Sequence, residues 1–367
     1  MQQERTPDER VMRQALARWR RGASGRPVLG IGYVQWSNTS RVGQSLGDLD
    51  AEVRATPMLG DDGKVVEAIA TADVLVSGGQ VLDGPIFDQL SCRVILRPYV
   101  GYNDIDVPAA SARGILVCNV PDAYSEEVSM QAIAFLVAAN RQLIPFERET
   151  REGRWREGTG TPSLTIHNSR AQTVGVLGFG RIGRISATRA KALGFRVLAS
   201  DPYVDEREAA DLGIPLVSLD EVLETCDYLL IHAFLWDETH HLLNAERIAR
   251  MKPGAWVINT ARGPIVDEAA LIDALRSGHL GGAGLDVFEV EPIELDNPLL
   301  TMPNVMVSPH MAVYSEEGQV RAAGRAAGIA RAALAGQLPD RVPAIDKGLY
   351  DALLAGGISV HADLAKV

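Results

Sequence analysis

The stretch Thr173-Val-Gly-Val-Leu-Gly178-Phe-Gly180-Arg-Ile-Gly183 decides how the rest of the chain is read. An apolar strand-like run, 173–177, passes directly into Gly-x-Gly-x-x-Gly and then into a helical pattern with Ile182, Ile185 and Leu193 on one face. In that context Gly178 permits the tight turn, Gly180 lets the backbone approach a pyrophosphate, and Gly183 allows close packing of helix on strand. The free N–H groups of the helix start, Arg181 and Ile182 among them, face the phosphates. The next strand-like run, 195–200, ends in Asp201. A carboxylate about 20 residues past the turn accepts hydrogen bonds from both ribose hydroxyls and repels a 2′-phosphate. The pair predicts NAD rather than NADP. The competing reading, three glycines that only make a tight turn, leaves Asp201 unexplained.

Working outward, apolar runs near 173–177, 196–200, 228–232, 255–259, 282–286 and 305–308 alternate with helical patterns, which predicts a six-stranded doubly wound parallel sheet. A first α/β series precedes it, with runs at 28–34, 74–76, 94–96 and 115–117, and ends near Pro121. Ser125 with Glu126 and Glu127 then opens a long helix to about 142: a hydroxyl cap with two carboxylates at the positive end of the helix dipole. A polar stretch with Gly153, Trp155, Gly158 and Gly160 follows. The Ala-rich segment 318–336 is helical, and the tail beyond Leu338 has weak periodicity. At the front, Val11, Met12, Ala15, Leu16 and Trp19 recur at helical spacing and predict a docked extra helix. The basic run Arg18, Arg20, Arg21, before Gly22 to Gly25, reads as a solvated helix face.

Composition narrows the function classes. The chain has 367 residues, 46% hydrophobic and 23% charged, enough for two packed cores. A net charge of −11 repels phosphate backbones and acidic membrane surfaces, so neither nucleic acid nor membrane is expected as a partner. No apolar stretch approaches the roughly 20 residues of a membrane span, and the N-terminus MQQERTPDER is charged where a secretion signal is apolar. A soluble, cytoplasmic protein is expected. Cys92, Cys118 and Cys226 lack metal-site spacing and read as small buried hydrophobes in a reducing compartment. His240 and His241 are adjacent, which points them in different directions on regular structure, so no metal site is expected.

The second half of the chain offers one set of residues suited to moving a hydride and a proton. Arg262, in Asn259-Thr-Ala-Arg-Gly263, follows a strand and so lies at the carboxyl end of the sheet, where open α/β sheets bind ligands. Its planar fork suits a carboxylate. Asp286 sits at a strand end, and Glu291 five residues on immediately precedes Pro292. His310, in Ser308-Pro-His310, places an imidazole at the end of the last strand, and a carboxylate beside it favours its protonated form. Each has a plainer role available: a surface salt bridge, a solvated charge, a capped loop histidine.

With these residues in hand, the chain resembles the D-isomer-specific 2-hydroxyacid dehydrogenases over about 72–340, and within them the branch that includes the C-terminal-binding protein corepressors. The matching motifs are Gly101-Tyr-Asn-Asp-Ile-Asp106, 174–183, Met251-Lys-Pro-Gly through Arg262-Gly-Pro-Ile-Val-Asp267, Leu285-Asp-Val-Phe-Glu-Val-Glu-Pro292 and Ser308-Pro-His310. The resemblance implies two Rossmann-like doubly wound domains with a hinged cleft. A discontinuous substrate domain, 1–121 plus 318–367, would be built from both chain ends around an NAD-binding domain at 122–317. It implies that Arg262 binds the substrate carboxylate, His310 protonates the oxygen during reduction, Glu291 pairs with His310, and Asp286 holds the nicotinamide carboxamide. Ala233, Thr239 and Thr260 join Gly178, Gly180, Arg181, Ile182, Gly183, Asp201 and Asp286 as expected cofactor contacts. Ser77, Gly78, Gly79, Tyr99, Val100 and Gly101 join Arg262 at the substrate. A homodimer formed partly through the helix at 125–142 is implied as well.

Departures from the family pattern bear on the substrate. Tyr99 stands where relatives usually carry a glycine, and either reshapes the pocket or packs in it. His232-Ala-Phe-Leu-Trp236 replaces a segment that usually resembles His-Cys-Pro-Leu-Thr, leaving cofactor contacts there to the backbone and Thr239. Val128-Ser-Met-Gln131 lacks the usual Ala-Glu pair, and Val313 stands where the corepressor branch tends to have tryptophan. The expected activity is NAD-dependent interconversion of a small 2-oxo acid and an (R)-2-hydroxy acid. The alternative is an NADH-responsive, corepressor-like scaffold with vestigial catalysis.

Overall fold

The computed structural model describes residues 7–20, 26–32, 45, 50–60, 64–155, 166–340 and 344–361, so the expectations for 21–25, 33–34, Gly158 and Gly160 lie outside the described residues. The chain folds as two compact units, Met1–Tyr124 with Ser315–Val367, and Ser125–Tyr314. No helix among the described residues is long and apolar enough to cross a membrane.

The unit built from both chain ends carries five strands: β1 (Val28–Ile31), β2 (Glu52–Ala55), β3 (Val74–Val76), β4 (Val94–Leu96) and β5 (Leu116–Cys118). All pair in parallel, in the order β2-β1-β3-β4-β5. β3 to β5 are short runs buried on both faces, as parallel strands flanked by helices must be. β2 escapes sequence reasoning because it is an edge strand with mostly exposed residues, including Glu52, and so has no apolar pattern to detect. The Ala-rich helix spans Glu316–Leu334 and lies against β1, β3 and β4. Its buried Ala322, Ala323, Ala326, Ala327 and Ala330 have no bulk to hold it off the sheet.

The extra N-terminal helix, Glu9–Arg20, docks through Val11, Ala15 and Trp19. Gly114 makes the contact possible: a Cβ there would fall 2.5 Å from the Ala15 Cα, and its φ of +70° is one glycine adopts freely. Arg18 is not a solvated charge, because its guanidinium donates to the carbonyls of Arg113 and Leu90, both 2.9 Å away. The weakly periodic tail holds a further helix, Lys347–Ala355, capped by Asp346 and anchored by Leu349, Tyr350 and Leu353.

The second unit carries β6 (Thr173–Leu177), β7 (Arg196–Ser200), β8 (Tyr228–Ile231), β9 (Trp256–Asn259), β10 (Gly282–Leu285) and β11 (Val305–Val307), all parallel, in the order β11-β10-β9-β8-β6-β7. From β6 the chain steps one way to β7 and the other way to β8, so the strand order reverses between β6 and β8. Ligands bind outside the carboxyl ends of such a sheet, at that point. The long helix is Ser125–Asn140; Gln142, at φ +51°, ends it before a separate helix, Leu143–Arg151. Ser125 does not act as the expected cap: its hydroxyl is buried and makes no hydrogen bond. Against β10 this helix packs so closely that a Cβ on Gly284 would lie 2.8 Å from the Phe135 side chain.

Candidate active site

Strand register sets the site. Leu177 pairs with Ser200 on one side and Ile231 on the other, Ile231 with Asn259, Asn259 with Leu285, and Leu285 with Val307. The residues that follow these positions, Asp201, Gly178, His232, Thr260, Asp286 and Ser308, therefore stand side by side along one sheet edge. Residues spread over more than a hundred positions of sequence become neighbours about 4.8 Å apart because parallel strands all end on the same side.

The glycine turn has the shape a pyrophosphate needs. Gly178 has φ +89°, and a Cβ on it would meet the Ala233 backbone nitrogen at 2.5 Å; a Cβ on Gly183 would sit 2.0 Å from the Gly178 carbonyl oxygen. A Cβ on Gly180, the residue that caps the helix Arg181–Ala192, would meet no other side chain or loop within 4 Å. Two glycines thus close the turn and the third leaves open space at a helix N-terminus, the arrangement that accepts an anion. Asp201 Oδ2 accepts the Phe179 N–H at 2.7 Å and Oδ1 the Tyr203 N–H at 2.9 Å, which ties the acidic residue to the turn. Beside it, Tyr203 and Trp236 pack edge to face with ring centres 5.7 Å apart.

Two of the expected catalytic residues, Glu291 and His310, lie side by side. His310 Nδ1 lies 2.6 Å from Glu291 Oε2. Glu291 Oε1 accepts the Phe288 N–H at 3.0 Å, which fixes the carboxylate in its own loop. Burial works against the charge on Glu291, but the hydrogen bond and charge of His310, the Phe288 N–H and the charge of Arg262 together hold its pKa below the usual carboxylate value. His310 itself has φ +53°, a left-handed conformation that costs a side-chain-bearing residue on the order of 1 kcal/mol. Its N–H donates to the Asp286 carbonyl at 2.8 Å, which helps maintain that conformation.

Two of the expected cofactor residues, Asp286 and Thr239, commit their side chains to their own surroundings. Asp286 is fully buried, and its carboxylate accepts the Ser308 hydroxyl at 2.5 Å and the Met311 and Ala312 N–H groups at 2.9 Å each. It therefore shapes the loop that carries His310 and presents no surface to a nicotinamide carboxamide. Desolvation raises its pKa. Thr239 spends its hydroxyl inside its own loop, accepting from the Trp236 N–H at 2.9 Å and donating to the Phe234 carbonyl at 2.7 Å. Thr260 keeps a buried hydroxyl with no partner.

Other bracing residues gave no signal in the sequence. Asn259 holds the arginine loop, donating to the Arg262 carbonyl at 2.9 Å and accepting the Ala261 N–H at 3.0 Å. Gln131 reaches Ser308 at 3.3 Å from the long helix. A second histidine–carboxylate pair, His241 Nε2 to Glu289 Oε1 at 2.7 Å, lies on the same acidic loop. The rings of His240 and His241 stack 4.1 Å apart instead of diverging, because His241 at φ +48° interrupts regular geometry. Next to Gly178, His232 buries both ring nitrogens without partners, and desolvation lowers its pKa to about 4.

In the other unit, the expected substrate residues follow β3 and β4, again at carboxyl ends. Ser77 uses its N–H on the Leu96 carbonyl at 3.0 Å. The carbonyls of Tyr99 and Val100 accept from the Val120 N–H at 3.3 Å and the Asn119 side chain at 2.7 Å. Among the described residues no acceptor faces the amides of Gly78, Gly79, Val100 or Gly101. Two short loops thus present unpaired N–H groups, the makings of an anion cradle.

Residues 133–312 match the NAD binding domain model of the D-isomer specific 2-hydroxyacid dehydrogenases. The chain is 40% identical over 285 residues to D-3-phosphoglycerate dehydrogenase of Mycobacterium tuberculosis, which covers 77% of this chain and 53% of that protein. The chain thus spans about half the length of the phosphoglycerate dehydrogenases it matches. It is 39% identical over 261 residues to glyoxylate reductase of Korarchaeum cryptofilum, covering 71% of this chain and 79% of that one. Its fold is similar to that of the NADPH-dependent glyoxylate/hydroxypyruvate reductase of Sinorhizobium meliloti in complex with NADP and malonate, with TM-score 0.76 and 30% identity over 88% of this chain and 98% of the other. These relatives do not single out the corepressor branch. With most of an archaeal glyoxylate reductase matched at this level, and the family's NAD-binding domain extending from the long helix through β6 to β11, this chain belongs to the D-isomer specific 2-hydroxyacid dehydrogenase family.

Proposed function

We propose that the protein is an oxidoreductase that uses NADH to reduce a small 2-oxo acid to the (R)-2-hydroxy acid, and NAD for the reverse. The observation that carries this reading is the 2.6 Å His310–Glu291 pair, with the charge of Arg262 acting on the same carboxylate, at the carboxyl edge of an NAD-binding sheet. A vestigial site has no reason to keep an imidazole in a left-handed conformation against a carboxylate.

The nicotinamide, when bound, supplies or accepts the hydride. The amides of the glycine turn and the start of the helix Arg181–Ala192 hold the pyrophosphate, where Gly180 leaves open space. Asp201 accepts the adenosine ribose hydroxyls. A relative crystallised with NADP shows that the family accommodates both cofactors, so the preference for NAD rests on Asp201. With Nδ1 committed to Glu291, His310 is left with Nε2 to give a proton to the substrate oxygen in reduction and to take it back in oxidation. Arg262 binds the substrate carboxylate through its fork.

A homodimer fits the surface. Met130, Val137, Leu143 and Ile144 are 54%, 37%, 56% and 41% exposed, an apolar strip along the long helix and its successor. Three buried free thiols suit a reducing, cytoplasmic setting. The test is NADH absorbance with glyoxylate, pyruvate, hydroxypyruvate, phenylpyruvate and branched 2-oxo acids. Turnover that disappears in His310→Ala while NADH still binds supports the reading; turnover unaffected by that change refutes it.

A further inference from the structure

Tyr99 occupies a position with a specific hydrogen-bonding consequence. Arg97, the residue after β4, has a fully buried side chain. Its guanidinium pairs with Asp104 Oδ1 at 2.6 Å through Nη2 and donates through Nη1 to the Tyr99 hydroxyl oxygen at 2.8 Å. The guanidinium carbon also lies 5.2 Å from the centre of the Tyr99 ring. A buried cation of this kind is tolerated only when paired, and Asp104, with its side chain 26% exposed, supplies the pairing.

The arrangement polarises the tyrosine in one direction. A phenol has one proton to give and an oxygen that accepts. Arginine has no acceptor, so the Arg97 contact consumes accepting capacity at the Tyr99 oxygen and leaves its proton to be donated elsewhere. Tyr99 is itself one of the cradle residues, and its ring is only partly buried. Among the described residues, the neighbouring amides of Val100 and Gly101, and those of Gly78 and Gly79 on the adjacent strand end, have no hydrogen-bond acceptor. Ser77, beside them, has a buried hydroxyl with no partner. Donors of this kind at neighbouring strand ends suit an anion.

We propose that the Tyr99 hydroxyl donates a hydrogen bond to the anionic group of the substrate, and that the Arg97–Asp104 pair is the positioning device that aims it. The proposal rests on the 2-oxo acid reading above and adds to it a side-chain donor. Tyr99 is the specificity-determining residue of the cradle: its hydroxyl selects for substrates that present an oxyanion at this edge, and Arg97 and Asp104 act only through it.

Tyr99→Phe keeps the ring over Arg97 and deletes the hydroxyl, which removes the donor and also the acceptor of the Arg97 Nη1–H. Loss of one hydrogen bond to a charged group weakens binding roughly 10- to 100-fold. A rise of that size is expected in the KM for the 2-oxo acid and in the Kd of oxamate, an unreactive 2-oxo acid analogue, measured with NADH present. NADH affinity should stay near wild type, while the thermal midpoint should fall modestly because the buried Arg97 Nη1–H loses its acceptor. Asp104→Asn should raise the oxamate Kd in the wild-type background and add nothing further in the Tyr99→Phe background, whereas a general disturbance of the cradle would raise it in both. Unchanged oxamate Kd and KM in Tyr99→Phe overturn the donor, and additive effects in the double variant overturn the positioning role of the pair. The oxamate titration needs no turnover, so wild-type binding without reduction of any 2-oxo acid counts against the reaction and not against the tyrosine.

Discussion

Gly263 and Phe288 touch through their backbones: a Cβ on Gly263 would fall 1.8 Å from the Phe288 carbonyl oxygen. Gly263 follows Arg262, and Phe288 donates its N–H to Glu291. The arginine loop and the acidic loop therefore behave as one packed body, and the spacing of guanidinium and carboxylate is set by the absence of a single methyl group. Gly263→Ala must push these loops apart. A displacement of about 1 Å costs on the order of 100-fold in rate, so kcat/KM should fall by about that factor. NADH affinity, measured by fluorescence titration, should change far less, because the glycine turn lies elsewhere on the edge.

Glu291→Gln keeps the size of the side chain and removes its charge. The imidazole loses the anion that orients it, and kcat should fall about 100- to 10,000-fold, the usual span for general acid–base catalysis. Glu291 is held below the ordinary carboxylate pKa, so in the wild type it stays charged as pH falls from 7 to 5. Its contribution to stability is complete above the ordinary value of 4.5 and is lost only as pH falls through the lowered folded value. Thermal melts between pH 7 and pH 3 should show the difference between wild type and Glu291→Gln shrinking only at the acid end.

His232 titrates in the opposite sense from a paired histidine. Its pKa falls from 6.5 to about 4 on burial, so the unfolded chain binds a proton that the folded chain refuses between those values. Stability from this group is fully present above 6.5 and declines as pH drops toward 4, by at most roughly 3 kcal/mol. His232→Phe, which fills similar space without titrating, should flatten the fall in melting temperature over this window. An identical acid slope in the variant would show that His232 is not the group responsible.

Asp201→Asn removes the charge that repels a 2′-phosphate. NADPH should gain affinity relative to NADH by about tenfold or more, an effect of the size expected for one charged hydrogen-bonding group. The two dissociation constants measured side by side check this; an unchanged ratio would locate the discrimination elsewhere.

Leu143→Asp places a charge in the exposed apolar strip of the helix Leu143–Arg151, where no residue is buried. Analytical ultracentrifugation should show the wild type as a dimer and the variant shifted toward monomer, with NADH binding retained. A monomeric wild type would remove the dimer from consideration.

Much of this was legible locally. The glycine turn, Asp201 and the six strands of the second unit could be read because a buried parallel strand is an apolar run and a phosphate turn demands glycine at fixed offsets. Strand β2 and the helix Lys347–Ala355 were not. β2 is an exposed edge strand, and the helix gives only a capping aspartate and three buried side chains as a signal. The basic run was misread at Arg18 because the carbonyls it caps belong to residues more than seventy positions away.

Residue types and spacing were enough to read the family fold and the dinucleotide turn and to single out Arg262, Glu291 and His310 as candidates, since each follows from short-range periodicity or from the chemistry of its side chain. Tertiary structure alone decided that Asp286 anchors the His310 loop, that Asn259 and Gln131 brace the site, and that Tyr99 accepts from Arg97. Those relationships depend on strand register and on which polar atoms burial leaves without water. Both are settled only when distant segments pack, because a buried donor or acceptor must find its partner in space rather than along the chain.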